Sequence, residues 1–112
     1  MSLRLDRKLR LESPYRTRDD AGGFVESWQM EGILWASVKS NVGREAENEG
    51  LPISTVSSKI TVRAAPQGAP SRPKAGQRFR DGNRIFWIHA VSEVGGQGRY
   101  LICAAREEEV ST

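Results

Sequence analysis

The sequence holds one histidine, His89, and one cysteine, Cys103, so nucleophilic or metal chemistry would have to be built around these two residues. A Ser-His-Asp triad would need His89 as its base, with a serine from one of several loops. The histidine lies mid-way in Trp87-Ile88-His89-Ala90-Val91, however, a strand-like run in which a hydrogen-bonded structural histidine is the expected state. A Cys103–His89 pair would set a thiol beside a base on adjoining strands, yet nothing nearby supplies a third group to orient the imidazole. One Cys and one His cannot close a zinc shell, and Glu45, Glu47 and Glu49 lack the spaced Asp, Asn and Gly ligands of a calcium loop. Gly22-Gly23 and Gly95-Gly96-Gln97-Gly98 lack the lysine and strand-to-helix setting of a phosphate cradle and read as turns. The expectation is a protein that is not an enzyme, with no catalytic residue, no metal and no cofactor.

Binding chemistry is the next candidate. Arg78, Phe79, Arg80, Arg84, Phe86 and Trp87 interleave cations with aromatics, as a platform for single-stranded nucleic acid does. Strand alternation puts Phe86 and Trp87 on opposite faces, so at least one of them is core. A single-stranded nucleic-acid-binding barrel is therefore the alternative reading. Net charge is only +3, but the signs are segregated. Arg4, Arg7, Lys8, Arg10, Arg16 and Arg18 crowd the first eighteen residues, and Arg63, Arg72, Lys74, Arg78, Arg80 and Arg84 a second stretch. Glu45, Glu47 and Glu49 fall together, as do Glu107, Glu108 and Glu109. Such segregation suits head-to-tail contact between subunits, or a surface near DNA.

The elements that must carry these residues read as short strands. Leucines at 3, 5, 9 and 11 alternate with polar residues, predicting a half-buried first strand that Pro14 ends. Asp19, Asp20, Gly22 and Gly23 supply a turn before a second strand over 24–30. Glu31-Gly32 breaks the chain ahead of a dense apolar strand over 33–39. The polar stretch with Gly43 and Gly50 then predicts a long loop at about 40–54, with a single helical turn over 44–48.

Residues 55–65 alternate again, and the prolines at 66, 70 and 73 demand a loop. Asp81-Gly82-Asn83 signals a tight hairpin, and the glycines at 95, 96 and 98 a second one. Tyr100, Ile102 and Ala104 alternate with Leu101, Cys103 and Ala105, so both faces of the last strand are apolar, as in a central strand or a covered barrel wall. Six or seven strands with no long helix predict an all-β fold, a small antiparallel barrel or sandwich.

A chain of 112 residues suits one domain spanning 1–112, large enough to bury a modest core. A single cysteine cannot form an internal disulfide, which fits synthesis in a cytosol. No run of about 18 apolar residues and no apolar signal core are present, so neither membrane insertion nor secretion by the general route is expected.

In order along the chain, Leu5-Asp6-Arg7-Lys8-Leu9 with Leu11 and Pro14, Gly22-Gly23 before Val25-Glu26-Ser27-Trp28, Trp35-Ala36-Ser37-Val38 and Gly43-Arg44-Glu45 form a familiar series. Lys59-Ile60-Thr61-Val62-Arg63, Arg78-Phe79, Asp81-Gly82-Asn83-Arg84-Ile85-Phe86-Trp87-Ile88 and Leu101-Ile102-Cys103 continue it. The series resembles the head-tail adaptor, or head-tail joining (head completion, stopper), family of tailed phages and related prophage-derived particles, including gene transfer agents. It departs from the family after Gly-Arg-Glu, where residues 46–54 are acidic with Gly50 and Pro52 instead of Gln/Ala-rich and helical.

The resemblance implies a virion protein: a β-barrel subunit of a homo-oligomeric ring, hexameric or else dodecameric, at the head-tail interface. It would lie between an adaptor or portal ring above and a tail terminator or tail tube below. Such rings hold packaged double-stranded DNA as stoppers or gates and later let it pass without gripping its sequence. On that footing, Asn41, Gly43, Arg44, Glu45, Glu47, Glu49 and Leu51 are the candidate channel or inter-subunit residues, their acids repelling DNA phosphate. Arg4, Arg7, Lys8, Arg10, Arg72 and Lys74 are the candidates for docking neighbouring rings.

Overall fold

The computed structural model describes residues 4–48, 51–96 and 98–109, and of residues 41–48, 51–55 and 109 the backbone alone. Six antiparallel strands follow in order: β1 (Arg7–Arg18), β2 (Phe24–Asn48), β3 (Leu51–Arg63), β4 (Arg78–Asp81), β5 (Arg84–Val94) and β6 (Tyr100–Glu109). They close into a barrel in the order β1-β2-β3-β6-β5-β4, with β4 returning to pair with β1. The fold is all-β, as the alternating pattern predicts, and a barrel instead of a sandwich.

Closure follows from one repeating face. Leu9 and Leu11 of β1, Ala36 of β2, Ile60 and Val62 of β3, Phe79 of β4, Phe86 and Ile88 of β5, and Leu101, Cys103 and Ala105 of β6 all point inward and form one core. Most of these are fully buried, so the barrel is solid, with side chains filling its centre. Burying side chains of this kind contributes about 1.5–3 kcal/mol each before the entropy of ordering them is deducted.

Both glycine hairpins are formed as read. Gly82, with φ of 61°, turns β4 into β5, and Gly95 and Gly98, with φ of 82° and 62°, turn β5 toward β6. The Pro-rich segment 64–77 is a loop, but an ordered one. Arg72 donates through Nη1 to the Ala65 carbonyl at 2.8 Å, Pro73 is fully buried, and Gln77 donates to Ser13 Oγ at 2.6 Å.

Three expectations are corrected. The first strand does not end at Pro14 but continues to Arg18, with Pro14 opposite Trp28. β4 covers β1 only at Arg10–Glu12, so beyond that point one edge of β1 is open, where a proline costs little. The Glu31-Gly32 break is a bulge inside a continuous 25-residue β2: Leu11 faces Gly32 and Glu12 faces Met30, leaving Glu31 without an opposite number. Over 40–48 and 51–54 the expected loop is neither loop nor helix. β2 runs through it to Asn48 and returns as β3 from Leu51, with pairs such as Val42–Val56 and Glu45–Ile53. Its sequence lacks strand periodicity because it lies beyond the barrel, with no core to select apolar residues on one face.

The hairpins therefore outrun the barrel. β3 pairs with β6 only from Ser57 to Arg63, so residues 42–48 and 51–56 form a two-stranded ribbon held by its own ladder. At about 3.3 Å per residue it projects roughly 23 Å. Residues 13–18 and 24–29 form a second ribbon of the same kind. Accordingly the chain spans 52 × 41 × 23 Å with a radius of gyration of 15.9 Å, against about 13 Å for a compact chain of this length.

Candidate assembly interface

The residues first considered for catalysis are kept apart. Cys103 points into the core and is fully buried, and burial pushes its thiol up to about 12, so no thiolate is available at neutral pH. His89 is not a buried structural histidine. It occupies a bulge, where Ile88 faces Ala105 and Ala90 faces Ala104, and it is exposed on the outside. A bulge turns one extra side chain outward, which the sequence pattern alone does not reveal. No group of three or more His, Cys, Asp or Glu side chains that could hold a metal occurs among the described residues.

The basic-aromatic series is also dispersed. Phe79 and Phe86 are fully buried, and Arg78 is buried on the outer wall, where its Nε donates to Glu12 at 2.7 Å. The Arg78 guanidinium lies 4.0 Å from the Trp28 ring centre and 5.5 Å from that of Trp87, and the two indoles meet edge to face at 5.4 Å. Cation, carboxylate and rings thus satisfy one another and offer no stacking surface to a base. This clamp fastens the base of the β1–β2 ribbon to β4 and β5. Its signal in the sequence was two tryptophans with an arginine, but only the barrel register shows that they meet.

One end of the barrel is plugged by charge. Arg7, Asp81, Arg84 and Glu107 continue the inward-facing positions of β1, β4, β5 and β6. Arg7 bonds Asp81 at 2.8 Å, while Arg84 grips Glu107 at 2.6 and 2.9 Å. The Arg84 hydrogen bond holds Glu107 below the usual carboxylate range, partial burial opposes this, and the charges of Arg84 and Arg7 add to the lowering.

The candidate docking residues divide accordingly. Arg7 is committed to Asp81, and Arg72 to the Ala65 carbonyl. Arg4, Lys8, Arg10 and Lys74 are exposed. Lys8 and Arg10 lie opposite Trp35 and Ile33 on the outer wall, and Lys8 Nζ sits 5.7 Å from the Trp35 ring centre. Trp35 and Ile33 are 55% and 53% exposed, and Met30, Val25, Phe24 and Tyr15 are exposed along the neighbouring ribbon. Several large apolar groups thus stand in the open along one hairpin, on both its faces, set among arginines and lysines, which is more than a lone soluble subunit usually exposes. The sequence reading named its cations but missed its apolar residues, which alternation alone had assigned to a strand without saying which face met solvent.

Of the channel candidates, Gly43, Arg44, Glu45 and Glu47 lie on the outgoing strand of the β2–β3 ribbon and Leu51 on its returning strand, Asn41 lies at its base opposite Ser57, and Glu49 falls outside the described residues.

Comparison with known proteins bears on what such a surface serves. Residues 2–108 match the model of the family described as phage head completion protein. A chain in the solved structure titled "Virion of native gene transfer agent (GTA) particle" is 46% identical, with a TM-score of 0.80, covering 98% of this chain and 100% of that one. No curated protein matches. A solid barrel with two outlying ribbons and an exposed apolar-basic wall, matched over nearly its whole length, belongs to the phage head completion protein family, a family of structural head components.

Proposed function

We propose that the chain is the subunit of a homo-oligomeric ring at the head-tail interface of a phage-like particle, joining the portal side of the DNA-filled capsid to the tail and holding the DNA in place. The observation that carries this reading is the combination of a filled barrel with unsupported ribbons. The barrel has no internal passage, so a DNA conduit requires several copies around an axis. Two-stranded ribbons are at best marginally stable alone and call for neighbours to cover them.

In this reading the β2–β3 ribbon, with Asn41, Gly43, Arg44, Glu45, Glu47, Glu49 and Leu51, is the channel or inter-subunit element. Lining the channel, its acidic residues would leave double-stranded DNA free to move; between subunits, they would meet cations of a neighbouring copy. The exposed Lys8 and Arg10, together with Trp35 and Ile33, face an adjoining ring, the portal or adaptor on one side or the tail on the other. The virion of the similar gene transfer agent chain supports the location.

Deleting the gene from a particle-producing host tests the proposal. The expected product is heads without tails whose DNA is open to added nuclease. Tailed particles with nuclease-resistant DNA would overturn it.

A further inference from the structure

On the outer wall, Lys39 of β2 and Lys59 of β3 stand directly opposite each other, both exposed. Like charges in that position repel and weaken a sheet. Among the described side chains no acid relieves them: the ion pairs there join Arg7 to Asp81, Arg78 to Glu12 and Arg84 to Glu107. Next to Lys59 on β6 comes Ala104, whose small side chain leaves a shallow depression of about 430 Å³ floored by Ile102 and Ala104 and rimmed by the two lysines. The wall continues past Ser37 to Trp35, which Lys8 and Arg63 flank. A largely apolar lining beside cations that have no acidic partner among the described side chains suits an acidic protein segment better than bare phosphate, for which half-buried Ile102 and exposed Ala104 and Trp35 offer nothing.

The same chain carries such a segment. Glu45 and Glu47 lie near the end of the outgoing strand of the β2–β3 ribbon, and Glu49 follows them in the sequence. That ribbon projects away from its own barrel, with no other strand beside it beyond Ser57. Lys39 and Lys59 belong to the base of the ribbon, so its far end, roughly 23 Å off, cannot fold back onto them as an extended strand pair.

We infer that the Lys39–Lys59 depression receives the acidic end of the β2–β3 ribbon from a second copy of the chain. Tip binds base, two different surfaces, so the contact is heterologous and repeats around a ring until it closes. The inference deepens the ring reading, and rests on it, by naming the two surfaces that meet.

Reciprocal charge reversal in the particle-producing host tests it. Lys39→Glu with Lys59→Glu should lower the number of copies retained in purified particles at least tenfold. Glu45→Lys with Glu47→Lys and Glu49→Lys should do the same. All five together should restore retention to within about threefold of the original. Circular dichroism and melting of each purified variant show whether the barrel is intact.

In parallel, Lys59→Cys with Glu47→Cys should give a ladder of disulfide-linked copies in oxidised particles, the buried Cys103 staying unreactive. Unaltered retention in both reversed sets, failure of the five-fold variant to recover despite a normal fold, or absence of the ladder would overturn the inference. So would reversed lysines that release DNA while copies still cross-link, which would place that wall against DNA. Failure of the ring reading itself looks different: the unmodified chain would then be missing from purified particles.

Discussion

Strand β3 lives in two environments. From Ser57 to Arg63 it has β2 on one side and β6 on the other, and its inward residues Ile60 and Val62 are fully buried. From Leu51 to Val56 it has β2 alone. One continuous strand therefore passes from a closed wall to an open edge within a single residue step. The closed part has every requirement for autonomous folding: a filled core, paired backbone on both sides and ion pairs closing one mouth. The open part has only a ladder, and unpaired edges of that kind are where proteins add strands or neighbours. The difference teaches that one hairpin holds both a core-supported stretch and an unsupported one, and in the proposed ring the second of these serves assembly.

That division can be broken most severely in the wall. Phe79→Ala should cost about 3–5 kcal/mol, lowering Tm by more than about 12 °C, and it should abolish assembly by unfolding the subunit. Calorimetry checks it, and a small loss would mean that the barrel is not the source of stability. Next comes the clamp on the outer wall. Glu12→Gln leaves the buried Arg78 guanidinium without its charge partner and should cost roughly 3 kcal/mol. Glu12→Met with Arg78→Met should recover most of that in urea melts, because two apolar side chains need no counter-charge.

The barrel mouth gives a smaller, pH-dependent effect. Glu107 has a lowered pKa in the folded chain, so its contribution is present above its unfolded value of about 4.3 and is lost as pH falls through the folded value. Glu107→Gln should be less stable than the parent at pH 7 by no more than about 1 kcal/mol. The two melting curves should converge in acid below the folded pKa of Glu107. A difference that persists unchanged in strong acid would show that charge is not the cause.

The smallest change in stability is expected at the docking wall. Lys8→Glu with Arg10→Glu should alter unfolding by less than about 0.5 kcal/mol yet prevent heads from joining tails. Arg7→Glu should instead destabilise the subunit, because Arg7 pairs with Asp81 across the barrel mouth. Joining efficiency measured alongside melting separates the two behaviours.

The contrast also explains what could be read from residues alone. Where side chains face a core, alternation was informative: Leu9 and Leu11, Ile60 and Val62, and Leu101, Cys103 and Ala105 all point inward as their spacing implies. Turn chemistry was equally legible at Gly82. The ribbon over 42–48 and 51–56 has the sequence of a loop because nothing outside the barrel imposes period two, and the bulges at Glu31 and His89 are hidden because each shifts the period by one residue. For the assembly surface, the sequence shows Lys8, Arg10, Lys39 and Lys59 as cations. Only the register shows Lys8 beside Trp35 and Lys39 opposite Lys59.

Amide hydrogen exchange on the isolated chain and on the chain in purified particles tests the central claim, that the barrel holds itself together while the ribbon depends on neighbours. The account predicts that amides of 57–63 are protected in both states. Those of 42–48 and 51–56 should exchange readily in the isolated chain and slow by about a hundredfold or more in particles. A ribbon as protected as the barrel in the isolated chain, or one that gains no protection on assembly, would contradict it.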